Sequence, residues 1–119
     1  MTAYEKVKIA VNALDSKKAL DIKVIEIADV SSLADYFIIA SGTSNTHVKT
    51  LADEAEFQLA QKGVNVDHIE GRSTQWILLD YRDIVIHVFS GENRDFYDLE
   101  RLWTDGKELD VSEFIEKAE

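Results

Sequence analysis

Two segments, Trp76 to Asp80 (WILLD) and Asp83 to Phe89 (DIVIHVF), are apolar on successive residues and are separated only by Tyr81 and Arg82. Strand-forming segments this close in sequence pair as an antiparallel hairpin. Because apolar side chains fall on both parities, each strand is expected to be buried on both faces in the middle of a sheet, so that helices or a partner must cover both sides. The block that begins with this hairpin and runs to Trp103 also holds Phe96, Tyr97, Asp95, Asp98 and Glu100, but no Cys and a single His, His87. It is rich in the chemistry of packing and recognition and poor in the chemistry of catalysis.

The chain has 119 residues, 45% of them hydrophobic, which is the size of one compact domain with its own core. It contains no run of apolar residues long enough to span a membrane, and MTAYEKVKIAVNALDSKK has neither the apolar core of a signal peptide nor the acid-poor character of a transit peptide. A cytosolic protein with no membrane association is therefore expected. The absence of Cys removes disulfides and thiolate metal sites and fits a reducing compartment. The formal charge is −10, with acidity rising toward the C-terminus, and no window of five residues holds more than two Lys or Arg. Nucleic-acid binding needs a basic stripe that displaces counterions from phosphates, so direct binding to RNA or DNA is disfavoured. An acidic surface draws basic partners, among which ribosomal proteins are abundant, although acidity alone also keeps a domain soluble.

Tyr4, Val7, Val11 and Leu14 recur at steps of three and four and predict an amphipathic first helix. IKVIEI (Ile22 to Ile27) reads as a half-buried strand, and YFIIA (Tyr36 to Ala40) as a central strand ended by Ser41 and Gly42. Thr43 or Ser44 can cap a second helix that carries Val48, Leu51, Ala52, Ala55 and Leu59 on one face and stops at Gly63, with Phe57 off that face. VNVDHIEG reads as a short strand, Gly71 to Gln75 as a polar loop, and the hairpin follows. Phe96, Leu99, Leu102 and Trp103 predict a third helix ended by Gly106, and the acidic tail beyond it has a weak helical pattern in Val111, Phe114 and Ile115. The order α, β, β, α, β, β, β, α predicts an α/β fold: one mixed sheet of about five strands covered by helices. The domain is expected over residues 1–105, with 106–119 as an acidic C-terminal tail.

Gly42-Thr43-Ser44-Asn45 lies between a strand and a helix, where backbone N–H groups can hold a phosphate, but neither GxxxxGK[ST] nor GxGxxG is present. A turn glycine followed by a helix cap explains the segment more simply. A strand, a small-residue turn and a helix also resemble the opening of nucleotidyltransferases, whose two metals need converging carboxylates. Here Asp53, Glu54 and Glu56 fall inside the predicted helix, and Asp67 and Glu70 are spaced to opposite faces of a strand, so at most the shell of such a fold is expected, without catalytic carboxylates, metal or cofactor. His47, His68 and His87 share no spacing that makes a local metal pair, and His87, between Ile86 and Val88, reads as a packed histidine. Trp76, Tyr81 and the acids of the turn are equally suited to core packing and to docking a basic partner. Trp103 reads as core.

Three stretches carry more than periodicity: ASGTSNTHVKTLADE (Ala40 to Glu54), WILLDYRDIVIHVF (Trp76 to Phe89) and RDFYDLERLW (Arg94 to Trp103). In this order they closely resemble the ribosomal silencing factors of the Iojap/RsfS family, over residues 4–103. The resemblance implies a nucleotidyltransferase-type α/β domain without catalysis that binds large-subunit ribosomal protein fourteen and blocks joining of the small subunit, lowering translation when nutrients are short. Carried over residue by residue, the docking surface falls on Trp76, Leu78, Asp80, Tyr81 and Asp83. Arg82 departs from the family, which usually has Gly there. Because Arg has no easy access to positive φ, a turn built from right-handed residues is expected instead.

Two other readings belong beside this one. The Gly42 turn would serve a nucleotide-binding or residual nucleotidyltransferase enzyme, and an exposed apolar hairpin would let free chains pair as homodimers.

Overall fold

The computed structural model describes residues 1–29, 32, 34–71, 75–91 and 106–115. The expected third helix, including Phe96, Tyr97 and Trp103, lies outside the described residues.

Helix α1 runs over Ala3–Ser16 and opens with a capping box, in which the Thr2 hydroxyl accepts from the Glu5 N–H while the Glu5 carboxylate accepts from the Thr2 N–H. Its apolar stripe buries Val7, Ala10, Val11, Ala13 and Leu14. Helix α2, Asn45–Gln61, starts at Ser44, whose hydroxyl accepts from the His47 N–H, and buries the five residues its periodicity marks, Val48, Leu51, Ala52, Ala55 and Leu59. Phe57 points away from that face and is 54% exposed.

The strands are β1 (Leu20–Glu26), β2 (Tyr36–Gly42), β3 (His68–Glu70), β4 (Trp76–Asp80), β5 (Ile84–Ser90) and β6 (Lys107–Leu109). They form one sheet in the order β3-β4-β5-β2-β1-β6, so the α/β fold and mixed sheet are as the sequence predicts, with a sixth strand added. β2 and β5 pair in parallel, from Tyr36 opposite Ile84 to Gly42 opposite Ser90, and every other neighbouring pair is antiparallel. The parallel pair follows from the α2 crossover, which returns the chain before the antiparallel run β3, β4, β5 brings β5 alongside β2 in the same direction.

The sheet separates two apolar layers. On the helix side, Val24, Ile38, Ala40, Ile77, Leu79, Ile84, Ile86 and Val88 pack with the buried stripes of α1 and α2. The opposite side holds Ile25, Ile27, Ala34, Phe37, Ile39 and Phe89, with Trp76 and Val85 packed against them. Each fully buried aliphatic or aromatic side chain contributes roughly 1.5–3 kcal/mol, so the two-sided burial of β2 and β5 makes these strands the stable centre of the domain.

β4 departs from expectation. Ile77 and Leu79 are each 1% exposed, whereas Trp76, Leu78 and Asp80 are only partly buried, so this strand is covered fully on the helix side alone. It lies one position from the sheet edge, next to the three-residue β3.

Residues 106–114 likewise join the domain instead of forming a separate tail. β6 pairs with β1, Leu109 opposite Val24, and a single 3-10 turn at Val111–Glu113 delivers Phe114 into the helix-side core at 0% exposure. Tyr4 covers its ring at 4.9 Å, and Asn12 donates to the Phe114 carbonyl at 2.7 Å. Gly106 is required where the chain enters β6, because a Cβ there would stand 2.7 Å from the Ile25 side chain and 3.0 Å from the Glu26 carbonyl. A three-residue strand carries too few positions for an alternating pattern to show in the sequence.

Candidate functional site

The strand period places Trp76, Leu78 and Asp80 on one face of β4 and Ile77 and Leu79 on the other. Trp76 is fixed from two sides. Its ring stacks on Phe89 with centroids 5.1 Å apart and planes at 22°, and its indole N–H donates to His87 Nδ1 at 3.2 Å. His87 is 4% exposed, and burial pushes its pKa down to about 4, so the imidazole is neutral at ordinary pH. With Nδ1 accepting, the proton sits on Nε2, which is buried without a hydrogen-bond partner among the described residues. Phe37 lies against the same ring at 5.1 Å. Beside Trp76, a cavity of about 160 Å³ is lined by Glu70, Gly71, Trp76 and Leu78.

The hairpin turn corrects the expected right-handed geometry. Arg82 has φ +74°, and the Asp83 N–H donates to the Tyr81 carbonyl at 3.0 Å, the i to i+2 bond of a γ-turn with positive φ at its centre. The Asp80 carboxylate accepts from the Arg82 N–H at 2.7 Å and holds that geometry. The Arg82 side chain is 82% exposed and reaches Asp67 at 3.2 Å.

The five expected docking residues are thus not equivalent. Trp76, Leu78 and Asp80 share a partly open face, but Tyr81 is 5% exposed and belongs to the helix-side core, its hydroxyl buried without a hydrogen-bond partner among the described residues and its pKa raised by desolvation. It supports the turn from beneath. Asp83 is engaged within the chain, its carboxylate 2.8 Å from the Lys6 ammonium. Neither Lys6 nor His87 was marked by the sequence as part of the site. No local spacing could show the pair of Lys6 with Asp83, 77 residues apart, whereas the register opposite Leu78 was a usable signal for His87.

At the Gly42 turn three backbone donors, the N–H groups of Thr43, His47 and Val48, are engaged within the chain. His47 Nδ1 accepts from the Thr43 N–H at 2.9 Å, Ser44 Oγ takes the His47 N–H, and the Ser44 carbonyl takes the Val48 N–H. His47 Nε2 meets the Lys17 carbonyl at 2.8 Å, tying the end of α1 to the start of α2. Gly42 is there for close approach, since a Cβ would lie 2.9 Å from the Val48 nitrogen. Among the described residues, no group of three or more His, Asp and Glu side chains is placed to hold a metal ion, and no helix is long and apolar enough to cross a membrane.

The fold and this surface define a small α/β domain with a mixed sheet whose partly exposed aromatic, aliphatic and acidic groups gather at one hairpin. The model of the family described as ribosomal silencing factor during starvation matches residues 1–119. Curated relatives include the ribosomal silencing factor of Halalkalibacterium halodurans, 34% identical over 97% of this chain and 99% of that protein. That of Bacillus subtilis is 39% identical over 87% of this chain and 89% of its own length. A mouse protein named for mitochondrial assembly of the ribosomal large subunit is 32% identical over 82% of this chain and 45% of its own length. Among solved structures, a Chromobacterium violaceum protein superposes with a TM-score of 0.85 at 37% identity, covering 92% of both chains. The chain belongs to the ribosomal silencing factor family.

Proposed function

We propose that this protein represses translation by binding the large ribosomal subunit at ribosomal protein fourteen, where it excludes the small subunit sterically and performs no catalysis. The observation that carries this is the split of β4: Ile77 and Leu79 are sealed into the core, while Trp76, Leu78 and Asp80 stay partly open on one face. A pre-positioned tryptophan beside an aliphatic residue and carboxylates is the composition of a hot spot for a basic partner. Family membership supplies the ribosome as the setting, and the name of the mouse relative points to the large subunit. The charge of −10 favours a basic protein over RNA as the direct contact. The cytosol is the compartment in which such a factor meets ribosomes. At the Gly42 turn the Thr43, His47 and Val48 N–H groups are engaged within the chain, which favours a capped helix start over the nucleotide-binding alternative.

The test is joining of purified subunits followed by light scattering. Pre-incubating large subunits with the protein is expected to suppress 70S formation in proportion to occupancy, whereas pre-incubating small subunits is not. Equal joining with and without bound protein would sink the steric mechanism.

A further inference from the structure

We propose that the cavity between Trp76, Leu78, Glu70 and Gly71 is a preformed socket for one aliphatic side chain in a basic segment of the partner, and that buried His87 is the positioning residue that holds its Trp76 wall. This rests on the docking function proposed above and names the chemistry of its central contact.

The cavity has room for a branched aliphatic side chain, at about 160 Å³, and two of its walls are the indole and the Leu78 side chain. A side chain entering it exchanges water for apolar surface on both sides, the arrangement in which single residues carry most of an interface's affinity. The flanking groups select what lies next to that side chain. Glu70 lines the socket and Asp80 follows Leu78 on the same strand face, so lysine or arginine neighbours meet carboxylates while acidic neighbours are repelled.

A socket gains affinity when its walls are already in place, because no rotamer has to be frozen on binding. Trp76 meets that condition through His87. The β4–β5 register puts Leu78 directly opposite His87 and Trp76 opposite Phe89, so the indole lies diagonal to the imidazole and over the phenyl ring. Stacking on Phe89 restrains the plane of the indole, and the bond from Nε1–H to His87 Nδ1 restrains its rotation. Phe37 packs on the imidazole, and the proton on Nε2 leaves Nδ1 as the acceptor. His87 sits 4% exposed beneath the surface and acts only through the tryptophan.

The experiment compares wild type, His87→Gln, His87→Leu, Leu78→Trp and Trp76→Ala in binding to purified large subunits, with the Trp76 indole N–H followed by nitrogen-15 NMR in the free protein and assigned by its loss in Trp76→Phe. His87→Gln retains an acceptor, so its indole resonance and affinity are expected to stay near wild type. His87→Leu keeps the site apolar and folded but removes the acceptor, and is expected to move the indole resonance upfield and weaken binding about tenfold. Leu78→Trp fills the socket and is expected to lower affinity by at least about tenfold. If Trp76→Ala abolishes binding while Leu78→Trp and His87→Leu bind as wild type does, the socket and the positioning role are wrong and the docking surface stands. If wild type does not bind large subunits, or Trp76→Ala binds unchanged, the docking function itself fails.

Discussion

Lys6, in the first turns of α1, lies 2.8 Å from Asp83 in the turn just before β5, closing the hairpin turn onto a helix 77 residues earlier in the chain. Both side chains are largely covered, at 19% and 30% exposure, and the second carboxylate oxygen of Asp83 is buried without a hydrogen-bond partner among the described residues. Lys6→Met therefore strands a partly buried carboxylate, and we expect a loss of about 1–2 kcal/mol in urea unfolding. Asp83→Lys sets two ammonium groups together and should destabilise at least as much. From sequence alone Asp83 looks replaceable without harm to the fold. The bridge reverses that expectation, and any binding defect of Asp83→Lys has to be read beside its stability.

Tyr81→Phe should leave the protein as stable as wild type or more stable by up to about 1 kcal/mol. Among the described residues the buried hydroxyl has no hydrogen-bond partner, so its removal relieves desolvation and breaks no bond. Binding to large subunits should not change, because the ring faces the helix-side core. A loss above about 1 kcal/mol in denaturant unfolding would show that the hydroxyl has a partner.

Arg82→Gly should raise stability by about 0.5–1 kcal/mol. A left-handed φ of +74° is strained for Arg and free for Gly, which outweighs the greater unfolded-state freedom of Gly. The bridge to Asp67 is solvent-exposed, at 82% and 46%, and its loss costs little. Thermal unfolding should show the gain as a rise in Tm, and a fall would mean that the Arg82 side chain stabilises the turn more than its backbone strains it.

His87 sets a pH dependence. Its folded pKa near 4 lies below the ordinary 6.5, so between these values the unfolded chain binds more protons and stability rises with pH. The contribution is fully present above about pH 6.5 and is lost as pH falls toward 4, for a total on the order of 3 kcal/mol. Urea midpoints between pH 4 and 7 should fall less steeply for His87→Leu than for wild type. Parallel slopes would mean that carboxylates alone set the acid sensitivity.

Local patterns were enough for both described helices, the cap at Ser44, the central strands and the hairpin, because a 3.6-residue period shows directly in Val7 to Leu14 and Val48 to Leu59 and a continuous apolar run in Tyr36 to Ala40. β6 escaped because only its pairing with β1 defines it, and Phe114 because a lone aromatic in an acidic stretch gives no period. At the site, the family resemblance marked Trp76, Leu78, Asp80, Tyr81 and Asp83, and the first three share a face. Tyr81 packs in the helix-side core and Asp83 pairs with Lys6, environments set by α1 and α2 rather than by their sequence neighbours. Arg82 shows the same limit, since its intrinsic preference is overridden by the Asp80 carboxylate and the closing bond from Asp83 to Tyr81.

The central claim, that the open face of β4 binds the large subunit, is tested most directly by co-sedimentation of Trp76→Ala with purified large subunits. The indole can be removed without emptying the helix-side core, because it stands on the opposite face and is only partly buried. Wild type should pellet with the subunits, and Trp76→Ala, folded by circular dichroism, should remain in the supernatant with affinity reduced about thirtyfold or more, the loss of a hot spot worth about 2 kcal/mol or more. Co-sedimentation of Trp76→Ala at wild-type levels would contradict the assignment of this face as the docking surface.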